Sequence, residues 1–229
     1  MKKYLNYFSA FEKALWLFSV ALIVISFVLF DKNNYLTLIA SLIGVTSLIF
    51  AAKGNPFSQF LMVIFSILYG VISYSFRYFG EMVTYLGMTM PMALFSLFSW
   101  LKNPFEKGKA EVKVNKISKK ENVFMWLLTL VVTVIFYFIL KYFGTANLLP
   151  STLSVTTSFF AVYLTFRRSP YYAVAYATND IILIVLWVLA SFKSTAYVPV
   201  AVCFLMFLFN DLYGFLSWQK MEKRQKTKE

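Results

Sequence analysis

Long apolar runs interrupted by short polar clusters organise this chain. Eight runs stand near residues 14–30, 35–52, 56–76, 82–100, 122–142, 149–166, 171–191 and 196–218. They are separated by Asp31-Lys32-Asn33-Asn34, Lys53-Gly54-Asn55-Pro56, the stretch from Arg77 to Glu81, a polar segment over 101–121, Gly144 to Asn147, Arg167-Arg168-Ser169-Pro170 and Lys193-Ser194. A helix that crosses the hydrocarbon of a bilayer needs about 20 mostly apolar residues. Barrel strands would instead be about 10 residues of strict alternation. The runs are longer and continuous, and a continuous apolar run satisfies its backbone within a membrane only as a helix. The pattern predicts an all-α polytopic membrane protein with about eight transmembrane helices.

Charge sharpens that picture. Of the 229 residues 60% are hydrophobic and 14% charged, against about 25% charged in a soluble domain. The formal net charge of +12 is unevenly placed. Eight spans put both termini on one side; with that side inside, 18 of the 22 basic residues fall on inside segments, and only Lys32, Arg77, Lys141 and Lys193 fall outside. That asymmetry is the positive-inside signature of a multi-pass protein of the bacterial cell membrane with cytoplasmic termini. It reads as contact with anionic lipid in the bilayer, with no nucleic acid partner. Lys2 and Lys3 precede the first run, but so do Glu12 and Lys13, and no small-residue cleavage site follows, so a retained helix is expected. With no histidine and a single cysteine, Cys203, neither a disulfide framework nor a cysteine- or histidine-rich metal site is expected. No cofactor is implied.

The two halves echo one another. Glu12 to Leu17 matches Glu121 to Leu127; Val45-Thr46-Ser47 matches Val155-Thr156-Thr157. The cluster Lys53-Gly54-Asn55-Pro56 matches Arg167-Arg168-Ser169-Pro170, and Leu97-Phe98-Ser99-Trp100 matches Phe215-Leu216-Ser217-Trp218. An even number of spans per half gives a parallel repeat, an arrangement used by secondary transporters. The lysine-rich 101–121 reads as a solvated connector.

Polar groups inside spans are costly, at least ~2.5 kcal/mol for a charge near mid-bilayer, and so mark an interior chamber. Asp180 and Asp211 are the acidic residues well inside runs, each preceded by asparagine, Asn179 and Asn210. Trp187 follows Asp180 by seven residues on the same helix face, and Tyr213 follows Asn210 by three. Carboxylates and amides bind hydroxyls and carboxamides, and aromatic rings stack on a flat, cationic ring. The bland alternative is polar glue between helices. Aligned first-half positions are Ser66, Met92 and Ala93, so the site is expected to be asymmetric. In the fourth run Tyr85 and Thr89 share a polar face with Glu81, Met92, Ser96 and Ser99. Glu81 is placed near the outer boundary, solvated or paired with Arg77. Pro91 is expected to bend this helix. Trp100 and Trp218 read as interfacial anchors, and Tyr171, Tyr172 and Tyr176 as belt or packing residues.

Taken together, Gly80 to Met88, Pro91-Met92, Ser99 to Pro104, Leu164 to Tyr172, Asn179-Asp180 and Asn210 to Trp218 resemble the nicotinamide riboside transporters of the PnuC family, most of all those of Gram-positive bacteria. The resemblance implies a fold like an enlarged SWEET transporter in a parallel 3+1+3 repeat plus an extra N-terminal helix. The tail and extra helix would occupy 1–34, the first three-helix bundle 35–100, the cytoplasmic connector 101–121, the linking helix 122–148, the second bundle 149–218 and a basic cytoplasmic tail 219–229. It further implies a homotrimer and vitamin B3 uptake for NAD biosynthesis, with nicotinamide riboside entering by facilitated diffusion and trapped by cytoplasmic phosphorylation. Related members carry thiamine or deoxynucleosides, and the two aspartates keep proton coupling open. A membrane enzyme and a non-transporting scaffold are the competing classes. No G-x-S-x-G, Walker loop or histidine supports an enzyme.

Overall fold

The computed structural model describes residues 7–145 and 147–228. Eight helices in it are long and apolar enough to cross a membrane. They are α1 (Ala10–Phe30), α2 (Tyr35–Ala52), α3 (Phe57–Ser75), α4 (Phe79–Lys102), α5 (Lys119–Tyr142), α6 (Leu148–Phe166), α7 (Tyr172–Ser191) and α8 (Val198–Lys228). Each coincides with one expected run to within a few residues, except that α8 continues through the basic segment after Trp218. Among the described residues there is no strand.

The polar clusters end the helices in physically distinct ways. Ser9 and Glu12 form a reciprocal capping box at the start of α1. Ser118 caps α5 by accepting from the Glu121 amide, and Asn34 caps α2 by accepting from Thr37. The α2–α3 and α6–α7 turns pass through the left-handed region at Gly54 (φ 62°) and Arg168 (φ 55°). Glycine adopts that conformation freely. Arg168 is fastened there by its guanidinium, which donates to Ser99 Oγ at 2.7 Å and to the Lys113 carbonyl at 3.1 Å.

α4 runs without interruption from Phe79 to Lys102, but one turn, Tyr85–Thr89, is π-helical. Pro91 has no N–H with which to close an α-turn, and a wider turn just before it absorbs the mismatch. The Met90 amide reaches back to the Tyr85 carbonyl.

The repeat is written in matching contacts. Ser99 Oγ and Trp100 Nε1, at the end of α4, donate to the Phe166 and Thr165 carbonyls at the end of α6 (2.9 and 2.8 Å). Ser217 Oγ and Trp218 Nε1 on α8 donate to the Ala52 and Ala51 carbonyls at the end of α2 (2.7 and 2.8 Å). Each half thus caps a helix of the other. α1 and α5 also match: Glu12 pairs with Lys53 of the α2–α3 turn, and Glu121 with Arg167 of the α6–α7 turn. The halves meet closely. A Cβ on Gly44 of α2 would lie 2.3 Å from Phe207 Cζ of α8; within the first half, one on Gly70 of α3 would lie 2.6 Å from Leu86 Cγ of α4.

Two expectations are corrected here. Trp100 and Trp218 are not interfacial anchors. Both are 0% exposed and pack against each other, ring centroids 5.4 Å apart, because their indole N–H groups are committed to helix ends. Nor is the connector simply solvated. The Val112 side chain is fully buried, and its amide donates to the Gly54 carbonyl. Val114 donates to Gln225 of α8, and Asn115 donates to the Arg168 carbonyl. The connector therefore straps both helix turns and the α8 extension together, leaving its lysines as the solvated part.

Candidate functional site

Near mid-span, between the two halves, lies a closed cavity of about 20 Å³. Its polar lining comes from Tyr85 and Thr89 of α4, Ser158 of α6, Tyr176, Asn179 and Asp180 of α7, and Asp211 of α8. Leu48, Met62, Phe65, Phe204 and Phe207 complete the wall. Tyr85 and Thr89 bracket the π-turn, and such turns re-aim side chains at functional sites.

Asn179 is anchored by α6. Its Oδ1 lies within hydrogen-bonding distance of three α6 hydroxyls, Ser154 (3.4 Å), Thr157 (2.9 Å) and Ser158 (3.1 Å). The Asp180 and Asp211 carboxyl groups lie side by side. Asp180 Oδ2 is buried with no hydrogen-bond partner. No lysine or arginine lines the cavity, and none is buried among the described residues. Two neighbouring carboxyl groups in a low-dielectric space share a proton in the absence of a base, and a bound cation, which can take that proton's place, is favoured there over an anion.

Clusters of aromatic rings lie beyond the cavity toward both ends of the helices. Toward the end carrying the connector, Tyr172, Trp100 and Trp218 pack together. Toward the opposite end the rings form a continuous track. Phe207 meets Phe65, Phe65 meets Tyr69 and Tyr85, and Tyr69 stands against both Tyr85 (4.3 Å between centroids) and Trp187 (6.2 Å). Trp187 then meets Phe76, Tyr78 and Tyr197. Buried polar atoms without partners run beside this track: Glu81 Oε2, Tyr69 OH, Ser73 Oγ and Trp187 Nε1.

Five of the eight residues expected at the site, Tyr85, Thr89, Asn179, Asp180 and Asp211, meet in the cavity. Trp187 lies about 10 Å of helix further along α7, in the aromatic cluster. Asn210 and Tyr213 face α1. Asn210 Nδ2 donates to Ser19 Oγ (3.0 Å) and to the Met206 carbonyl (2.8 Å), while its Oδ1 is buried without a partner. Tyr213 donates to Glu12 Oε1 (2.8 Å). Glu81 is not at a solvated boundary and makes no ion pair with Arg77. It is 3% exposed, because the turn before α4 carries it into the interior. Tyr176 and Ser158 were not singled out from sequence for this cavity. Tyr176 stands four residues before Asp180, a helical spacing that could have found it.

Eight spanning helices in two equivalent halves, closed around a small polar chamber, define a membrane transporter. The chain belongs to the nicotinamide mononucleotide transporter family, whose sequence profile matches residues 34–220. It is similar to the nicotinamide riboside transporter PnuC of Neisseria mucosa, 28% identical over 218 residues, covering 93% of this chain and 82% of that one. It is also similar to the protein of the same name from Haemophilus influenzae, 24% identical over 196 residues, covering 84% and 82%. Its fold matches the crystal structure of the vitamin B3 transporter PnuC with a TM-score of 0.83 at 24% identity, covering 95% of this chain and 94% of that chain.

Proposed function

We propose that this transporter imports nicotinamide riboside across a bacterial cytoplasmic membrane by facilitated diffusion, and that phosphorylation in the cytoplasm traps the cargo. One observation carries the reading: the chamber holds two carboxyl groups and no base, inside aromatic walls. Nicotinamide riboside has a fixed positive charge on a flat ring, ribose hydroxyls and a carboxamide. Each feature meets a complementary group: the carboxylates, the hydroxyls with Asn179, and the rings of Phe65, Tyr85 and Phe204. The names of the relatives agree. The mononucleotide in the family's description would bring a phosphate of roughly −2 charge against Asp180 and Asp211. At an effective dielectric of 20, like charges about 4 Å apart repel by about 4 kcal/mol.

The cavity of about 20 Å³ has room for one water, whereas small-molecule sites measure about 300 Å³ or more. Binding therefore requires the halves to separate, and the aromatic clusters toward the two ends would serve as gates for alternating access. In this reading Tyr85, Thr89, Asn179, Asp180 and Asp211 contact the cargo, and Trp187 lines the path to them. Asn210 and Tyr213 couple that path to α1. The end carrying the connector and most lysines faces the cytoplasm, in keeping with the positive-inside rule, with both termini on that side. Assembly as a homotrimer belongs to the same reading. Native mass spectrometry of the solubilised protein tests it, and a monomeric species alone would refute it.

Binding calorimetry on purified variants tests the site. Asp180→Asn should weaken nicotinamide riboside binding by about 30-fold, the equivalent of ~2 kcal/mol, while the variant stays folded. Asn210→Ala should weaken it less. Unchanged affinity in folded Asp180→Asn overturns the assignment. The adjacency of Asp180 and Asp211 favours one second reading, proton coupling. Accumulation in proteoliposomes driven by a pH gradient alone would replace facilitated diffusion with it.

A further inference from the structure

A second, much larger concavity lies away from the chamber. Between α5 and α7, over the outer face of α6, runs an open groove of about 960 Å³. Its rim, at the connector end, carries Lys116, Lys119 and Lys226. Its depth is lined by Met125, Trp126, Phe160 and Val174. We propose that this groove binds an anionic phospholipid of the adjacent leaflet, with the phosphate among the three lysines and an acyl chain along the apolar floor.

The dimensions fit one leaflet. From Lys119 at the rim to Thr129, the deepest α5 residue of the lining, α5 advances ten residues, about 15 Å. That is half of a hydrocarbon core of about 30 Å. The charges fit an anion. Glu222, the one acid in the wall, is engaged by Lys226, while Lys116 and Lys119 have no ion pair among the described residues. Lys226 also lies within side-chain reach of Lys116, so the rim gathers three ammonium groups against the single carboxylate of Glu222. Asn115 adds a buried Nδ2 donor without a partner in the same wall. Basic pockets between membrane helices on the positively charged side recognise anionic headgroups in this way. A second copy of the chain is a poorer occupant, since its own connector end is equally lysine-rich and would bring like charge to the rim.

The groove also touches the chamber. Thr157 lines the groove, and its hydroxyl lies 2.9 Å from Asn179 Oδ1. A bound acyl chain would fix α6 against α5 at the level where α6 positions Asn179.

The experiment is thermal unfolding and native mass spectrometry of delipidated, full-length protein without cargo. The probes are dioleoyl phosphatidylglycerol and, as zwitterionic control, dioleoyl phosphatidylcholine. Phosphatidylglycerol should raise Tm at least threefold more than phosphatidylcholine and remain as an adduct. The triple variant Lys116→Gln, Lys119→Gln, Lys226→Gln should lose that preference yet bind nicotinamide riboside as before. Val174→Trp, which fills the floor, should lose the adduct. Equal shifts with both lipids, or a preference retained in the triple variant, overturn the proposal. So does efficient disulfide crosslinking between copies through Val174→Cys, which would place a second chain in the groove.

Discussion

The reciprocal capping by Trp100 and Trp218 allows a quantitative test of the internal repeat. Replacing either tryptophan by phenylalanine removes one buried N–H donor and part of one ring. The abandoned carbonyls are not left wholly unpaired, because Thr165 also accepts from the Arg168 amide and Ala51 from the Gly54 amide, at 2.9 and 2.8 Å. The lost bond therefore costs about 1 kcal/mol rather than the full penalty of an orphaned group. The smaller ring leaves a void in a fully buried site, adding about 1 kcal/mol. About 2 kcal/mol corresponds to a fall in Tm of roughly 4–8 °C for a chain of this size. Because the two sites are equivalent, Trp100→Phe and Trp218→Phe should lower Tm by similar amounts. The rings touch, so the double variant should depart from additivity. Thermal unfolding in detergent, followed by tryptophan fluorescence or by aggregation, measures all three. A large fall for one variant beside no change for the other would refute the equivalence of the two caps.

Other consequences follow from particular contacts. Gly44→Ala places a methyl 2.3 Å from Phe207 Cζ, so that ring must retreat by about 1 Å to reach ordinary contact near 3.4 Å. Because Phe207 lines the chamber, this variant should lose about 1–3 kcal/mol of stability and bind nicotinamide riboside more weakly. Unaltered Tm and calorimetric affinity would show that α2 and α8 are not in close contact. Glu12→Gln and Glu121→Gln break matched ion pairs at unequal depth. Glu12 is 2% exposed and also accepts from Tyr213 and Ser9, whereas Glu121 is 20% exposed. Glu12→Gln should therefore lower Tm clearly, with a loss of about 1–3 kcal/mol, and Glu121→Gln by less than about 1 kcal/mol. The reverse order would contradict the structure.

The spanning helices were legible in sequence because lipid leaves the backbone few choices. Twenty apolar residues without alternation form a helix, and polar clusters such as Lys53-Gly54-Asn55-Pro56 end it. The repeat was legible through Ser99-Trp100 and Ser217-Trp218, but the purpose of those residues was not. A tryptophan near a helix end suggests an interface. Only the packed halves reveal that its N–H reaches a carbonyl on a helix from the other half. The acidic pair was found from cost alone, since a carboxyl group in mid-span needs a reason to be there. Which face of α8 meets the chamber was harder to read. Asn210 and Asp211 are consecutive and lie 100° apart on the helix, so one lines the chamber while the other meets Ser19 of α1. Glu81 was misplaced because the turn before α4, not the hydropathy of the run, decides how deep it lies. The connector's strap role depends on single contacts such as Val112 with Gly54, which its lysine-rich composition conceals.

Charge selection in the chamber is tested most directly by calorimetry on purified protein with three related ligands. These are nicotinamide riboside, its 5′-phosphate, and the reduced dihydro form, which keeps the ribose and carboxamide but lacks the ring's positive charge. The arrangement of Asp180 and Asp211 predicts that nicotinamide riboside binds at least tenfold more tightly than either of the others. Equal affinity for the uncharged form, or tighter binding of the phosphate, would contradict it.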